Sequence, residues 1–271
     1  MDHAQRVVDL LMEKNDARAN EMAREIEEMN MQRRDVDEST TAEALLQLEK
    51  TPKDSFCNIV HGTNWHRGVV GIVASRMIEN RYRPSVVLSE ENGILIGSTR
   101  SVDGVDMHDA LESCADLLLQ FGGHTMAAGL SLDAKNLEAF KVRLNDAVRV
   151  QLNGVTPKPI IRCDREVHIS ELSLEALKEL EQLEPFGPGN PTPVFILRNV
   201  ISVRPPRTIG NQGRHLKITI KDPSSDAPTL DAIGWNMGEL APQIKQNIPL
   251  DLAFTLVKNT WKPRGWQNRT E

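Results

Sequence analysis

Residues 56–98 read FCNIVHGTNWHRGVVGIVASRMIENRYRPSVVLSEENGILIGS, and this stretch decides the class of the first folded unit. The apolar run at 56–60 predicts a strand, and 69–78 repeats apolar residues at helical spacing. Two β-type runs, 85–88 and 94–98, flank the turn Glu91-Asn92-Gly93. The alternation continues with a predicted helix at 107–120, a strand at 126–132 and a helix at 137–150. Short strands alternating with longer helices predict a small α/β domain over residues 51–157, closed by the linker Thr156-Pro157-Lys158-Pro159.

Residues 1–50 contain no glycine and no proline and are rich in Ala, Glu, Met, Leu and Arg, which predicts a long connector helix region. Met22, Ile26, Met29 and Val36 place one narrow apolar stripe on it, and Asp35 and Asp37 read as its solvated face. The helix either packs on its neighbour or connects to a partner on its N-terminal side. Residues 158–271 follow another grammar. A helix is predicted at 172–183, then the broken run Glu184-Pro185-Phe186-Gly187-Pro188-Gly189-Asn190-Pro191, then β-type runs at 193–197, 200–203, 215–220, 230–234 and 250–257. Several short strands with turns between them predict a small barrel of the OB-fold kind. The expected fold class is therefore α/β plus β, with helices in front.

With 39% hydrophobic and 26% charged residues among 271, a disordered chain and a membrane-embedded one are excluded. No apolar run approaches the ~20 residues of a bilayer span, and no secretory signal is expected at the start, which points to the cytoplasm. Cys57, Cys114 and Cys163 are too few and too scattered for a disulfide framework or a cysteine-built zinc site. The net charge of -6 hides an asymmetry: residues 1–50 carry 7 basic and 13 acidic side chains, residues 158–271 carry 15 and 13. Arg198, Arg204, Arg207, Arg214, Lys217 and Lys221 follow one another without an acidic residue between them. Basic charge gathered in this way suits a polyanion.

Three loops of the α/β region suit anions. Gly122 and Gly123, before His124 and the small residues Ala127, Ala128 and Gly129, predict a turn that lets backbone approach a phosphate. Ser98, Arg100 and Ser101 end a predicted strand, where two hydroxyls and a guanidinium can bind phosphate oxygens. Trp65 and His66 precede a predicted helix whose first turn offers N–H groups. Each also has a purely structural reading, respectively a turn, a cap with a surface arginine, and a buried tryptophan. In the last third, Arg204, Arg207, Arg214 and Lys217 are candidates for phosphates, with Trp235 or Trp261 as stacking platforms. Trp235 reads equally as a core residue, and the basic run as a solvated hairpin. The seven histidines show no i, i+4 pairing and no clustering with carboxylates, so no metal site is expected.

The stretches 65–76, 97–101 and 121–129 resemble the DHHA1 region of the RecJ family, single-strand-specific 5′→3′ exonucleases of the DHH phosphoesterase superfamily. The run 183–195 resembles the entrance to the RecJ OB domain, and the similarity extends over about residues 1–260. This likeness implies single-stranded DNA as substrate and a role in DNA repair and recombination. It also implies Mn²⁺ or Mg²⁺ held by an N-terminal DHH domain. The Asp-His-His signature of that domain is absent, with Asp2-His3-Ala4 a partial echo, and the closing β-rich segment expected after Trp261 is not recognisable. The chain is thus expected to be the substrate-gripping C-terminal part of such an enzyme, inactive by itself, with no cofactor of its own. Two other readings stay open. One is a stand-alone, non-catalytic single-strand or nucleotide-binding module. The other is part of a DHHA1 oligoribonuclease or cyclic-dinucleotide phosphodiesterase, against which the OB-like third counts.

Overall fold

The computed structural model describes residues 4–259. Two compact units divide the chain, Met1–Pro159 and Ile160–Glu271. No described helix is long and apolar enough to cross a membrane.

The first unit opens with α1 (Ala4–Met12) and α2 (Asp16–Lys50), two helices where the sequence predicts one. The break has a local cause. Asn15 caps α2 by accepting the Arg18 N–H, and the Glu13 carboxylate accepts the amides of Lys14 and Asn15. The predicted apolar stripe Met22, Ile26, Met29 and Val36 is half-buried, and the fully buried side of α2 lies beyond it. It consists of Asp37, Thr40, Thr41, Ala44 and Leu48 near the C-terminal end. Asp37, expected on a solvated face, is 2% exposed and accepts hydrogen bonds from Arg76 at 2.6 Å and from Thr41. Small and hydroxyl side chains let α2 lie close to the next helix, and the carboxylate is matched by a guanidinium brought from 39 residues away.

A five-stranded sheet follows, in the order β1-β2-β3-β5-β4, from β1 (Asn58–Thr63), β2 (Ser85–Glu91), β3 (Ile94–Arg100), β4 (Leu118–His124) and β5 (Ala127–Asp133). β1 and β2 are parallel, joined through α3 (Val70–Asn80), and the other pairings are antiparallel. On one face α2 and α3 bury Ala44, Leu48, Val73, Ala74 and Met77 against Val60 and Val87. On the other, α4 (Met107–Glu112) and α5 (Leu137–Gln151) bury Met107, Leu111, Phe140 and Leu144 against Val86, Leu88, Leu95 and Leu132. Each of the Val, Leu, Met and Phe side chains so withdrawn from water contributes roughly 1.5–3 kcal/mol. At the β1 edge, the Gln47 side chain donates to the His61 carbonyl at 2.7 Å and accepts the His61 N–H.

The predicted helix at 107–120 is wrong in its second half. α4 ends at Glu112, a 3-10 turn covers Ala115–Leu117, and Leu118–His124 forms β4. The Leu-rich run has helical propensity, but pairing with β5 along the sheet edge overrides it.

The second unit contains α6 (Leu174–Glu181) and a mixed sheet. Its strands are β6 (Arg165–Glu166), β7 (Phe195–Ser202), β8 (Arg207–Ile209), β9 (His215–Lys221), β10 (Leu230–Gly234) and β11 (Pro249–Phe254). The main path runs β10-β9-β7-β11, with β6 on β7 and β8 on β9. The two runs predicted at 193–197 and 200–203 are one strand carrying a bulge. Asn199 takes φ +53°, and its N–H donates to the Asp251 carboxylate instead of the ladder. Leu197, Val200, Leu216, Ile218 and Ile220 form the core. In the run before β7, Asn190 Nδ2 donates to the carbonyls of Leu183 and Pro185 and so closes the proline-rich loop.

Candidate nucleic-acid interface

Alternation along the strands brings four of the first unit's candidates, Ser98, Arg100, Gly122 and His124, onto one face. Across β3, β5 and β4 the register aligns Ser98 with Gly129 and Gly129 with Gly122. One step on, it aligns Arg100 with Ala127 and Ala127 with His124. The Gly122-Gly123-His124 motif is therefore the end of an edge strand and not the predicted turn. The turn is Thr125-Met126, tied back to α4 by Met107 N–H to the Thr125 carbonyl and by Thr125 Oγ1 to Asp106. That hydroxyl, followed by the α4 amides, holds the Asp106 carboxyl below its usual range.

The two neighbouring glycines have different reasons for being glycine. Gly123 has φ +149°, and a Cβ there would meet the Ala127 carbonyl oxygen and Ala128 Cα at 2.5 Å. The fold itself demands Gly123. A Cβ on Gly122 would meet nothing within 4 Å, and one on Gly129 only the Gly97 oxygen at 3.8 Å. Glycine inside a strand weakens it and marks a place where something approaches the backbone closely. Gly122 and Gly129 together leave a bare, exposed strip of sheet with Arg100 on one side and His124 on the other.

Arg100 is half-buried and held from within. Its Nη1 donates to Ser98 Oγ at 3.0 Å and to the Thr99 carbonyl at 2.7 Å. Among the described residues no carboxylate pairs with it and no acceptor takes Nη2. α3 starts beside it, at an N-terminus without a side-chain cap. The other candidates separate. His66 is exposed, and its Nδ1 accepts the Gly68 N–H at 2.9 Å in the loop entering α3. Trp65 is a correction: it is 5% exposed, core-packed, and its indole donates to Glu43 at 2.8 Å. Ser101 is another. It is buried and its hydroxyl donates to the Val105 carbonyl at 2.7 Å, which clamps the loop before α4 and leaves nothing for a ligand.

In the second unit, β8, β9 and β10 present an outer face. Arg207, Lys217 and Ile233 align across the three strands, and Ile209 aligns with His215 one step away. Trp235, at the end of β10, is 67% exposed and meets the His215 ring edge-on at 4.9 Å. It is not a core residue. Arg204 and Arg214 are exposed in the bends flanking β8. Lys217 is not a free cation, because its Nζ lies 2.7 Å from Asp231, which also accepts from Thr219. Arg198 is likewise engaged, by Asp251 and Glu166. Sequence reasoning missed Ile209, His215 and Ile233, whose common face is visible only once the strand register is known. Trp261 lies outside the described residues.

The RecJ OB domain model matches residues 163–267, and the DHHA1 domain model matches residues 53–150. The single-stranded-DNA-specific exonuclease RecJ of Bacillus subtilis is 34% identical over 266 residues, 97% of this chain and 33% of that protein. The chain belongs to the RecJ family. RecJ of Escherichia coli is 33% identical over 239 residues, 85% of this chain and 41% of that protein. The crystal structure of RecJ from Thermus thermophilus in complex with Mg²⁺ matches with a TM-score of 0.75 and 28% identity, covering 95% of this chain and 38% of that one. The chain thus carries the portion of RecJ that holds the DHHA1 and OB domains. It spans well under half the length of these relatives.

The RecJ crystal structures with Mg²⁺ and with Mn²⁺ raise the question of where this chain could hold such an ion. Among the described residues, His108, Asp109 and Glu112 bring donor atoms within 4.8 Å of one another. This corrects the expectation that no histidine clusters with carboxylates. The trio stands on the six-residue helix α4 with both carboxylates exposed, and His108 rests on the Phe121 ring. A two-ion phosphodiester centre needs several fixed ligands converging on one sheltered space. These residues do not fit it.

Proposed function

We propose that this chain is the substrate-holding part of a RecJ-type exonuclease acting on single-stranded DNA. The hydrolytic metal ions are held by residues outside it, in the part of RecJ that it does not span. Ser98, Arg100, Gly122 and His124 hold the phosphate end or backbone of the strand, with His66 at the rim. The strand lies against bare backbone at Gly122 and Gly129, and the Arg100 guanidinium reaches its phosphate oxygens in the planar geometry that suits them. In the second unit, Arg204, Arg207 and Arg214 follow the phosphates while Trp235 stacks on a base.

The observation that carries this reading is Gly122, a strand glycine for which the fold has no steric use, two strands from an arginine without a carboxylate partner among the described residues. The direct test is binding of a 5′-phosphorylated oligonucleotide to Arg100→Ala. Losing a hydrogen-bonded charge costs ~1.5–3 kcal/mol, which is about tenfold to over a hundredfold in Kd. Wild-type affinity in a folded Arg100→Ala protein overturns the assignment.

A further inference from the structure

We propose that Gly71 is the positioning residue for Arg100. It lies in the first turn of α3, and a Cβ built on it would fall 2.9 Å from Arg100 Nη2, 3.5 Å from Cζ and 3.3 Å from Ser98 Oγ. The tip of the guanidinium therefore occupies space left by a missing methyl group on α3. Three constraints define its pose: the Thr99 carbonyl and the Ser98 hydroxyl on Nη1, and the closeness of Nη2 to α3 at Gly71. Helical glycine is otherwise unfavourable compared with alanine, so helix formation does not explain the residue. The helix tolerates a methyl group here, because the atoms in its way end a long side chain that can move. What cannot remain is the pose of the guanidinium. The role rests on the reading of Arg100 as a phosphate ligand, and it adds a separate claim, that the ligand is aimed by a neighbouring helix.

The test compares the full chain with Gly71→Ala, Arg100→Ala and the double variant, using a 5′-phosphorylated dT oligomer as probe. Gly71→Ala is expected to weaken binding at least about fivefold, without lowering the melting temperature. The double variant should bind no worse than Arg100→Ala, because with the guanidinium gone the methyl group meets only Ser98 Oγ at 3.3 Å, which has to give by no more than a few tenths of an ångström. A second readout is the Arg100 Nε–Hε resonance, identified by its loss in Arg100→Ala. It should shift in Gly71→Ala and stay in place in Glu79→Ala, at an exposed position two turns further along α3. Wild-type binding by Gly71→Ala beside a weakened Arg100→Ala overturns the positioning role and leaves the phosphate reading intact. So does an equal loss from Gly71→Ala in both backgrounds, or an unmoved resonance. Wild-type binding by Arg100→Ala sinks the phosphate reading instead, while the resonance still reports whether Gly71 sets the pose.

Discussion

Replacing Gly122 by valine and, separately, Gly123 by alanine should give opposite results in adjacent positions. At Gly122 there is no atom within 4 Å of a Cβ, so the fold accepts valine without displacement. Valine is among the better strand residues and glycine among the poorer, so stability should stay level or rise by up to ~1 kcal/mol. The branched side chain, however, occupies the space where a phosphate oxygen would sit ~3 Å from the backbone. Excluding even one charge-assisted hydrogen bond costs ~1.5–3 kcal/mol, or at least about tenfold in Kd. At Gly123 the backbone φ of +149° and two backbone-side contacts at 2.5 Å make alanine strained as well as crowded. A loss of stability of at least ~1–3 kcal/mol follows. Urea denaturation and fluorescence anisotropy with a 5′-phosphorylated single strand measure both quantities on the same samples. Undiminished binding by Gly122→Val, or parental stability in Gly123→Ala, refutes the division between a glycine required by a ligand and one required by the fold.

Other outcomes follow from the second unit and from the donor inventory. With Lys217 engaged by Asp231, the three exposed arginines Arg204, Arg207 and Arg214 should contribute about -2 to the slope of log K against log salt, at ~0.7 per phosphate. Reversing all three to glutamate should flatten the slope by at least that much, whereas Asp231→Asn, by releasing Lys217, should steepen it by about 0.7. The hydrogen bond from Lys217 holds the Asp231 carboxyl below its ordinary range, against a smaller opposing effect of burial. A value lowered by folding means stabilisation that is present above the unfolded value and lost as pH falls through the folded one. Unfolding free energies of wild type and Asp231→Asn, from urea denaturation, should therefore differ by under ~1 kcal/mol near pH 7, as for other exposed pairs, and converge below about pH 4. A gap that widens on acidification contradicts the pairing. Finally, the purified chain should leave 5′-labelled single strands intact in Mn²⁺; degradation abolished by changing one of its own residues would place a metal centre here.

The order of elements in the α/β unit was legible because strand and helix periods alternate cleanly in residues 56–98 and the turns carry Asn-Gly or proline. β4 was not, since Leu117-Leu118-Leu119 favours a helix locally and only β5 makes it a strand. The misplacement of Gly122-Gly123-His124 in a turn followed from that error. The choice of Arg100 depended on residue type, and its lack of a carboxylate partner among the described residues could be seen only in three dimensions. Charge behaved the other way. The basic run 198–221 has no acidic residue within it, yet Asp231, Asp251 and Glu166 return from other strands to neutralise Lys217 and Arg198. Burial of Asp37 was equally hidden, because its partner Arg76 belongs to a different helix.

The glutamine at the β1 edge has a bearing on how the protein behaves at high concentration. A parallel edge strand is a template for recruiting another copy, rung by rung, and Gln47 imitates one such rung with the two ends of a single amide. Replacing that amide with an alkyl group would leave the helix intact and uncork the sheet. The damage would appear as filaments or turbidity in concentrated samples and not as a lower melting point.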